Sequence, residues 1–123
     1  MDYDRIQQIF MDITGIDAEH FRYRQLIENG RQLVTSRLKL PISSLDPVRI
    51  GCCEYAAAAC AAYEYACADA VSERPVMSEN GEVVIKRGSA DLADAMKKLR
   101  TSAFDLLTAA GIINGGGFAF KAV

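Results

Sequence analysis

Apolar residues return every three or four positions over residues 3–13 (YDRIQQIFMDI). Ile6, Ile9, Phe10 and Ile13 therefore share one face and predict a short helix, with Gly15 as its stop. A second helical period follows, with Asp17 placed to cap it and a run to about Lys39, halted ahead of Pro41. Leu26, Ile27, Gly30, Leu33 and Val34 make its apolar stripe. A mid-helix glycine costs about 1 kcal/mol relative to alanine, so Gly30 makes sense where another helix crosses closely. Residues 40–45 (LPISSL) read as a short extended connector.

The longest helical stretch covers residues 46–74, DPVRIGCCEYAAAACAAYEYACADAVSER. Asp46 offers an N-cap oxygen, and Pro47 brings a pre-set φ to the first helical position. No glycine follows Gly51 and no proline intervenes before Pro75, so the helix would span roughly 42 Å. Its alanines and cysteines admit close neighbours but bury little area each. Residues 76–88 then change character. Asn80-Gly81 is a turn pair, and the β-branched run within 82–86 predicts a short exposed strand or hairpin. Ser89 is placed to cap a last helix, with Asp91 and Asp94 complementing its positive end. Leu92, Met96, Leu99, Ala103, Leu106, Leu107 and Ala110 form the stripe of that helix, while Lys97, Lys98 and Arg100 are assigned to water. Asp94 and Lys98 are spaced for an i,i+4 pair. Gly111 closes the helix, and residues 112–123 (IINGGGFAFKAV) read as a glycine hinge with an aromatic extended end. The expectation is an all-α chain: a bundle of about four helices around a long alanine-rich central one. A short β hairpin or loop precedes the last helix, and an extended C-terminal tail follows it. One domain is expected over 1–123, divided into an N-terminal helix (1–15), a core (17–111) and the tail (112–123).

Composition narrows the function classes. The chain has 123 residues, half of them hydrophobic, enough for one core and too apolar for disorder. A net charge of −2 gives no electrostatic reason to expect nucleic acid or anionic lipid as the main partner. The longest apolar run, 55–63, is bounded by Glu54 and Glu64 and is too short to cross a bilayer. No basic-then-apolar leader is visible, so a cytoplasmic protein is expected.

Cys53, Cys60 and Cys67 recur every seven residues, about 10.5 Å apart along a helix. That spacing exceeds disulfide reach and keeps these three from one zinc ion. Adjacent Cys52 and Cys53 point about 100° apart. Reduced thiols serving as small core residues are the expectation, with a reactive thiol or an intersubunit contact as alternatives. No Gly-x-Ser-x-Gly elbow, Walker loop, His-Glu-x-x-His helix or paired-cysteine zinc pattern occurs. His20, the single histidine, sits beside Glu19 as a surface residue would, and residues 115–117 (GGG) lack the lysine and helix of a phosphate loop. No catalytic, cofactor-binding or metal-ligating residue is therefore nominated, and no cofactor is expected.

Two features call for a partner. The small side chains of residues 47–74 give a compact monomer little to bury, and Phe118, Phe120 and Val123 alternate with Ala119, Lys121 and Ala122. Such alternation suits a strand added to a sheet edge or laid in a groove, the other reading being a tail folded back on its own core. The order of elements resembles the small α-helical head–tail connector (head-completion or adaptor) proteins of tailed phages and prophages. The likeness covers residues 18–123: a helix with a proline-containing connector (Leu40-Pro41-Ile42), a long alanine-rich helix from near Pro47, a loop with a short β segment (81–88), a final amphipathic helix (89–110) and a glycine-then-aromatic tail. The resemblance implies a ring subunit that docks beneath the portal after DNA packaging and forms the platform for a tail or stopper protein. Its partners would be other copies of itself, in a ring formed alone or only on the portal, the portal, and that tail or stopper protein. DNA would pass through without sequence-specific binding, and no membrane would be involved. The subunit would reside in the cytoplasm during assembly and then at the head–tail junction of the virion. The implied contact residues are Glu82, Val84, Lys86 and Arg87 in the loop, and Phe118, Phe120 and Val123 in the tail. Two other classes remain open. One is a cytosolic homo-oligomeric interaction module using the Cys53/Cys60/Cys67 face. The other is a thiol-dependent enzyme or redox sensor, which needs a cysteine with depressed pKa and solvent access.

Overall fold

Asp2 begins the first helix by local chemistry: its carboxylate accepts the Asp4 backbone N–H at 3.0 Å, satisfying one orphan donor of the first turn. In the computed structural model, which describes residues 1–16, 23–72, 76–77, 83–84 and 87–114, this helix is α1 (Tyr3–Thr14). Gly15 ends it in the left-handed region at φ 73°, its N–H donating to the Met11 carbonyl at 2.8 Å. Helix α2 (Arg24–Arg37) follows, then a 3-10 turn (Ile42–Ser44) and the long helix α3 (Pro47–Ser72). Two-residue strands β1 (Val76–Met77) and β2 (Val83–Val84) pair antiparallel, with Val76 opposite Val84, ahead of α4 (Arg87–Ala109). The described part of the chain is all-α in character, with four α-helices.

Helix α3 is the axis. Its capping matches the sequence expectation: Asp46 Oδ1 accepts the Arg49 N–H at 2.8 Å, and the Asp46 carbonyl accepts the Ile50 N–H at 3.0 Å. Helices α1, α2 and α4 each pack on α3. As a result residues 56–62, seven in succession, are buried on every side. Two helical turns surrounded in this way have no polar face, which only small side chains allow without pushing the neighbours apart. This corrects the expectation that a monomer has little use for such a helix: its alanines are the floor on which three helices meet. The closest approach is at Gly30 of α2, where a β-carbon would collide with the Ala57 carbonyl oxygen and lie 3.2 Å from its carbon. The glycine in the stripe is therefore the point of crossing.

Several boundaries differ from the sequence reading. Helix α2 stops at Arg37, not near Lys39, because Leu38 turns extended (φ −65°, ψ 138°) to form an antiparallel bridge with Ile113. The Lys39 N–H then donates to the Ile112 carbonyl at 3.1 Å. Asp17, its expected cap, lies outside the described residues, and the residue before Arg24 is Tyr23, with no side-chain cap bond. The connector is not simply extended, since Ile42–Ser44 form a 3-10 turn. Helix α3 is described through Ser72, and residues 73–75 and the Asn80-Gly81 pair fall outside the described residues. Ser89 lies inside α4 rather than at its cap, and Arg87 opens that helix instead of belonging to the loop.

Helix α4 ends in a Schellman arrangement. The Ile112 N–H reaches the Leu107 carbonyl (2.9 Å), the Gly111 N–H reaches that of Thr108 (3.0 Å), and Gly111 takes φ 74°. Ile112 and Ile113 are buried, so they belong to the core and the tail departs only after Asn114. The stripe of α4 is also shifted. Met96, Ala103 and Leu107 are buried as expected, but Phe104 is fully buried, Leu106 is 57% exposed and Ala110 is exposed.

Candidate functional site

The ends of the body are distinguishable by what leaves them. Helices α3 and α4 run antiparallel: the Arg100 guanidinium stacks 4.0 Å from the Tyr63 ring centroid, while the residues after α4 reach back to the connector that precedes α3. The β1–β2 segment therefore stands at the C-terminal end of α3, and the tail leaves at its N-terminal end. Of the nominated contact residues, Val84 pairs with Val76 and Arg87 is the first residue of α4. Glu82, Lys86, Phe118, Phe120 and Val123 lie outside the described residues.

At the β1–β2 end the core closes on aromatics. Phe10, Tyr23 and Tyr65 form a triangle with centroid separations of 5.9 to 6.2 Å and mostly edge-on geometry. Arg100, expected in water, is half-buried against Tyr63. Tyr63 also has its hydroxyl pKa raised, chiefly by a hydrogen bond with the Cys67 thiol and then by burial. Glu64 is raised as well, by desolvation, with Arg100 opposing.

At the tail end the notable group is Glu54, 2% exposed on α3. Its carboxylate accepts the Asp2 backbone N–H at 2.7 Å and lies 3.6 Å from the Arg5 guanidinium, tying the start of α1 to α3. Sequence reading treated Glu54 only as the edge of an apolar run. The signal was there, since Glu54 is the only charged residue between Arg49 and Glu64, and a charge enclosed by apolar helix is retained when it has partners. An open groove of about 430 Å³ lies nearby, lined by Met1, Arg31, Gln32, Thr35, Ser36 and Ile42. Arg31 is engaged with Glu28 at 2.8 Å, so the groove presents no convergent reactive set.

The thiols are all free: Cys53 and Cys60 are buried, Cys52 and Cys67 half-buried. Burial pushes the Cys53 pKa up to about 11 and that of Cys60 up to about 12, with Arg100 only partly opposing the latter. A buried thiol in such surroundings stays protonated at neutral pH, opposite to the requirement for a nucleophile. The proposed Cys53/Cys60/Cys67 contact face is overturned for its first two members, which are enclosed by the monomer's own helices. Among the described residues no three His, Cys, Asp or Glu side chains are grouped to hold a metal ion. No described helix is long and apolar enough to cross a membrane.

Among the residues whose exposure is described, the large apolar ones left exposed are Leu40 (59%), Val48 (76%), Tyr55 (38%) and Leu106. Leu40 lies two residues past the Leu38–Ile113 bridge, Val48 in the first turn of α3, and Leu106 in the last turns of α4. No protein-family model, curated protein or solved structure matches the chain.

Proposed function

We propose that this chain is a structural assembly subunit of the head–tail connector kind that it resembles. It would dock as a ring beneath a portal and offer a platform to a tail or stopper protein. The observation that carries the reading is the division of the molecule. A helical body has its axis filled by small residues, the β1–β2 pair follows one end of that axis, and the last described residues, held by the Leu38–Ile113 bridge, lie at the other. A subunit that must contact one protein above and another below needs two such separated attachments. In this reading residues 76–86 form a hairpin whose Glu82, Val84 and Lys86 meet one neighbour in the stack, with Arg87 at its base. Phe118, Phe120 and Val123 meet another copy or the portal. The subunit acts in the cytoplasm during assembly and at the head–tail junction afterwards, and it needs no cofactor. An oligomeric interaction module is the second reading, favoured by the apolar residues Leu40, Val48 and Leu106 on the surface. A thiol-dependent activity is disfavoured by the raised pKa values of Cys53 and Cys60.

The deciding experiment is the mass distribution of the purified protein, alone and mixed with the portal protein encoded beside it. Ring assembly that depends on the portal is the outcome expected. A stable small oligomer that ignores the portal would replace the connector reading with the interaction module.

A further inference from the structure

We infer that the groove beside α2 is a docking seat for an acidic peptide segment of a partner protein, with Arg31 receiving the peptide's carboxylate. The groove measures about 430 Å³, within the range of sites that enclose small ligands. Arg31, Gln32, Thr35 and Ser36 line it from the second half of α2, Ile42 from the 3-10 turn and Met1 from ahead of α1. Charge selects the class of partner. Residues 24–45 carry Arg24, Arg31, Arg37 and Lys39 against Glu28 alone, a net +3 in a chain whose total is −2. Arg24 and Arg37 lie over the rings of Tyr3 and Phe104, at 5.2 and 5.6 Å from their centroids, and Arg31 is the cation that lines the groove. None of the described lining residues is acidic. The Arg31–Glu28 pair is an i,i+3 contact with both side chains partly open to water, a kind that contributes little. An incoming carboxylate can therefore share the guanidinium or take it over, since five N–H donors are available.

Hydrogen-bond polarity decides between a peptide and nucleic acid. The Thr35 hydroxyl donates to the Arg31 carbonyl at 2.8 Å, and the Ser36 hydroxyl to that of Leu33 at 2.7 Å. With their protons so placed, both oxygens offer lone pairs. A peptide brings backbone N–H donors beside its carboxylate and matches both kinds of group, whereas a DNA backbone brings acceptors only. One cation is also too few to follow a run of phosphates. Met1 and Ile42, partly buried against the core, give the groove an apolar floor. The segment that fits thus has an aspartate or glutamate beside an aliphatic residue. The inference goes beyond the connector reading and concerns the purified chain, so its failure would leave that reading standing.

The test is a heteronuclear NMR titration of the full chain with a blocked tripeptide, leucine–glutamate–leucine, acetylated at one end and amidated at the other. Its side-chain carboxylate is then its one charge. Saturable shifts are expected at the amides of Arg31, Gln32, Thr35 and Ser36, with a dissociation constant on the order of a millimolar. The peptide with glutamine in place of glutamate should bind about fivefold more weakly, the scale of one partly exposed ion pair. Arg31→Gln should abolish the difference between the two peptides. Glu28→Gln removes the competing carboxylate and should tighten binding of the glutamate peptide about threefold, a gain that loss of fold would not produce. A single-stranded DNA oligonucleotide should leave the four amides unmoved. Absence of shifts there, equal affinity for the two peptides, or unchanged or weaker binding by Glu28→Gln would each overturn the inference. Oligonucleotide shifts at the same amides would overturn it as well, by assigning the groove to nucleic acid.

Discussion

The middle of α3 and its first turn are built from similarly small or apolar residues, yet they do opposite things. Residues 56–62 are enclosed by three helices, whereas Val48, two turns earlier, is 76% exposed. What separates them is the neighbour. In the middle a helix stands on every side, and each side chain is limited to the space that two packed backbones leave. At the first turn the surrounding elements are the connector and the ends of other helices, and apolar surface stays open. Small residues are thus a structural requirement in one region, and exposed apolar ones are available for contact in the other.

Two glycines break the comparison most directly. At Gly30 a β-carbon would strike the backbone of Ala57, which cannot move aside as a side-chain tip would. Gly30→Ala should gain about 1 kcal/mol of helix propensity but lose more to overpacking, for a net destabilisation of about 2 kcal/mol. Urea unfolding measures this, and a stabilised variant would contradict the close crossing. Glu54 comes next, at the border of the two regions. Glu54→Ala strands the Asp2 N–H and removes the partner of Arg5, costing about 1–2 kcal/mol. The loss should appear as earlier hydrogen exchange in α1 than in α4. The mirror image of the first test is Gly51→Ala in the early part of α3, where a β-carbon meets nothing within 4 Å. It should stabilise the protein by about 0.5–1 kcal/mol, and destabilisation would show an unseen neighbour.

The effect that is smallest at neutral pH is alkaline. The folded-state pKa values of Cys53 and Cys60 are raised from 9.0 to about 11 and about 12. The unfolded chain therefore releases these protons first. Their contribution is complete below pH 9 and is lost as pH climbs toward 11–12. A Cys53→Ala/Cys60→Ala variant should show a shallower fall in urea midpoint across that window than the unmodified protein. Identical slopes would mean that the thiols are not desolvated.

Much of the fold was legible because helix ends are local. Asp46 capping α3, Gly15 closing α1 and Gly111 closing α4 each act through groups within a few residues, and Gly30 in an apolar stripe pointed to a crossing before its partner was known. Periodicity also put Ile6, Phe10, Ile27, Val34, Met96 and Leu107 inside, where they are. The misassignments are of another kind. Leu106 was counted in the core and is exposed, Phe104 was left out and is fully buried, and Arg100 was given to water and lies against Tyr63. The candidate contact residues were less legible still, because a contact surface is defined by what comes to it. Of that group, Val84 and Arg87 alone fall among the described residues, and Arg87 proved to be helical.

The order of side chains was thus enough to establish four helical stretches, the stops of α1 and α4 and the small-residue character of α3, since those depend on torsions, caps and hydrogen bonds within one or two turns. Tertiary structure alone decided that α3 is surrounded, that Leu38 leaves its helix to meet Ile113, that Glu54 is a buried tie to α1, and that Cys53 and Cys60 are sealed in. Each of these is a relation between residues far apart in the chain. Burial depends on which element comes to cover a face, and a helical period shows only that the face exists.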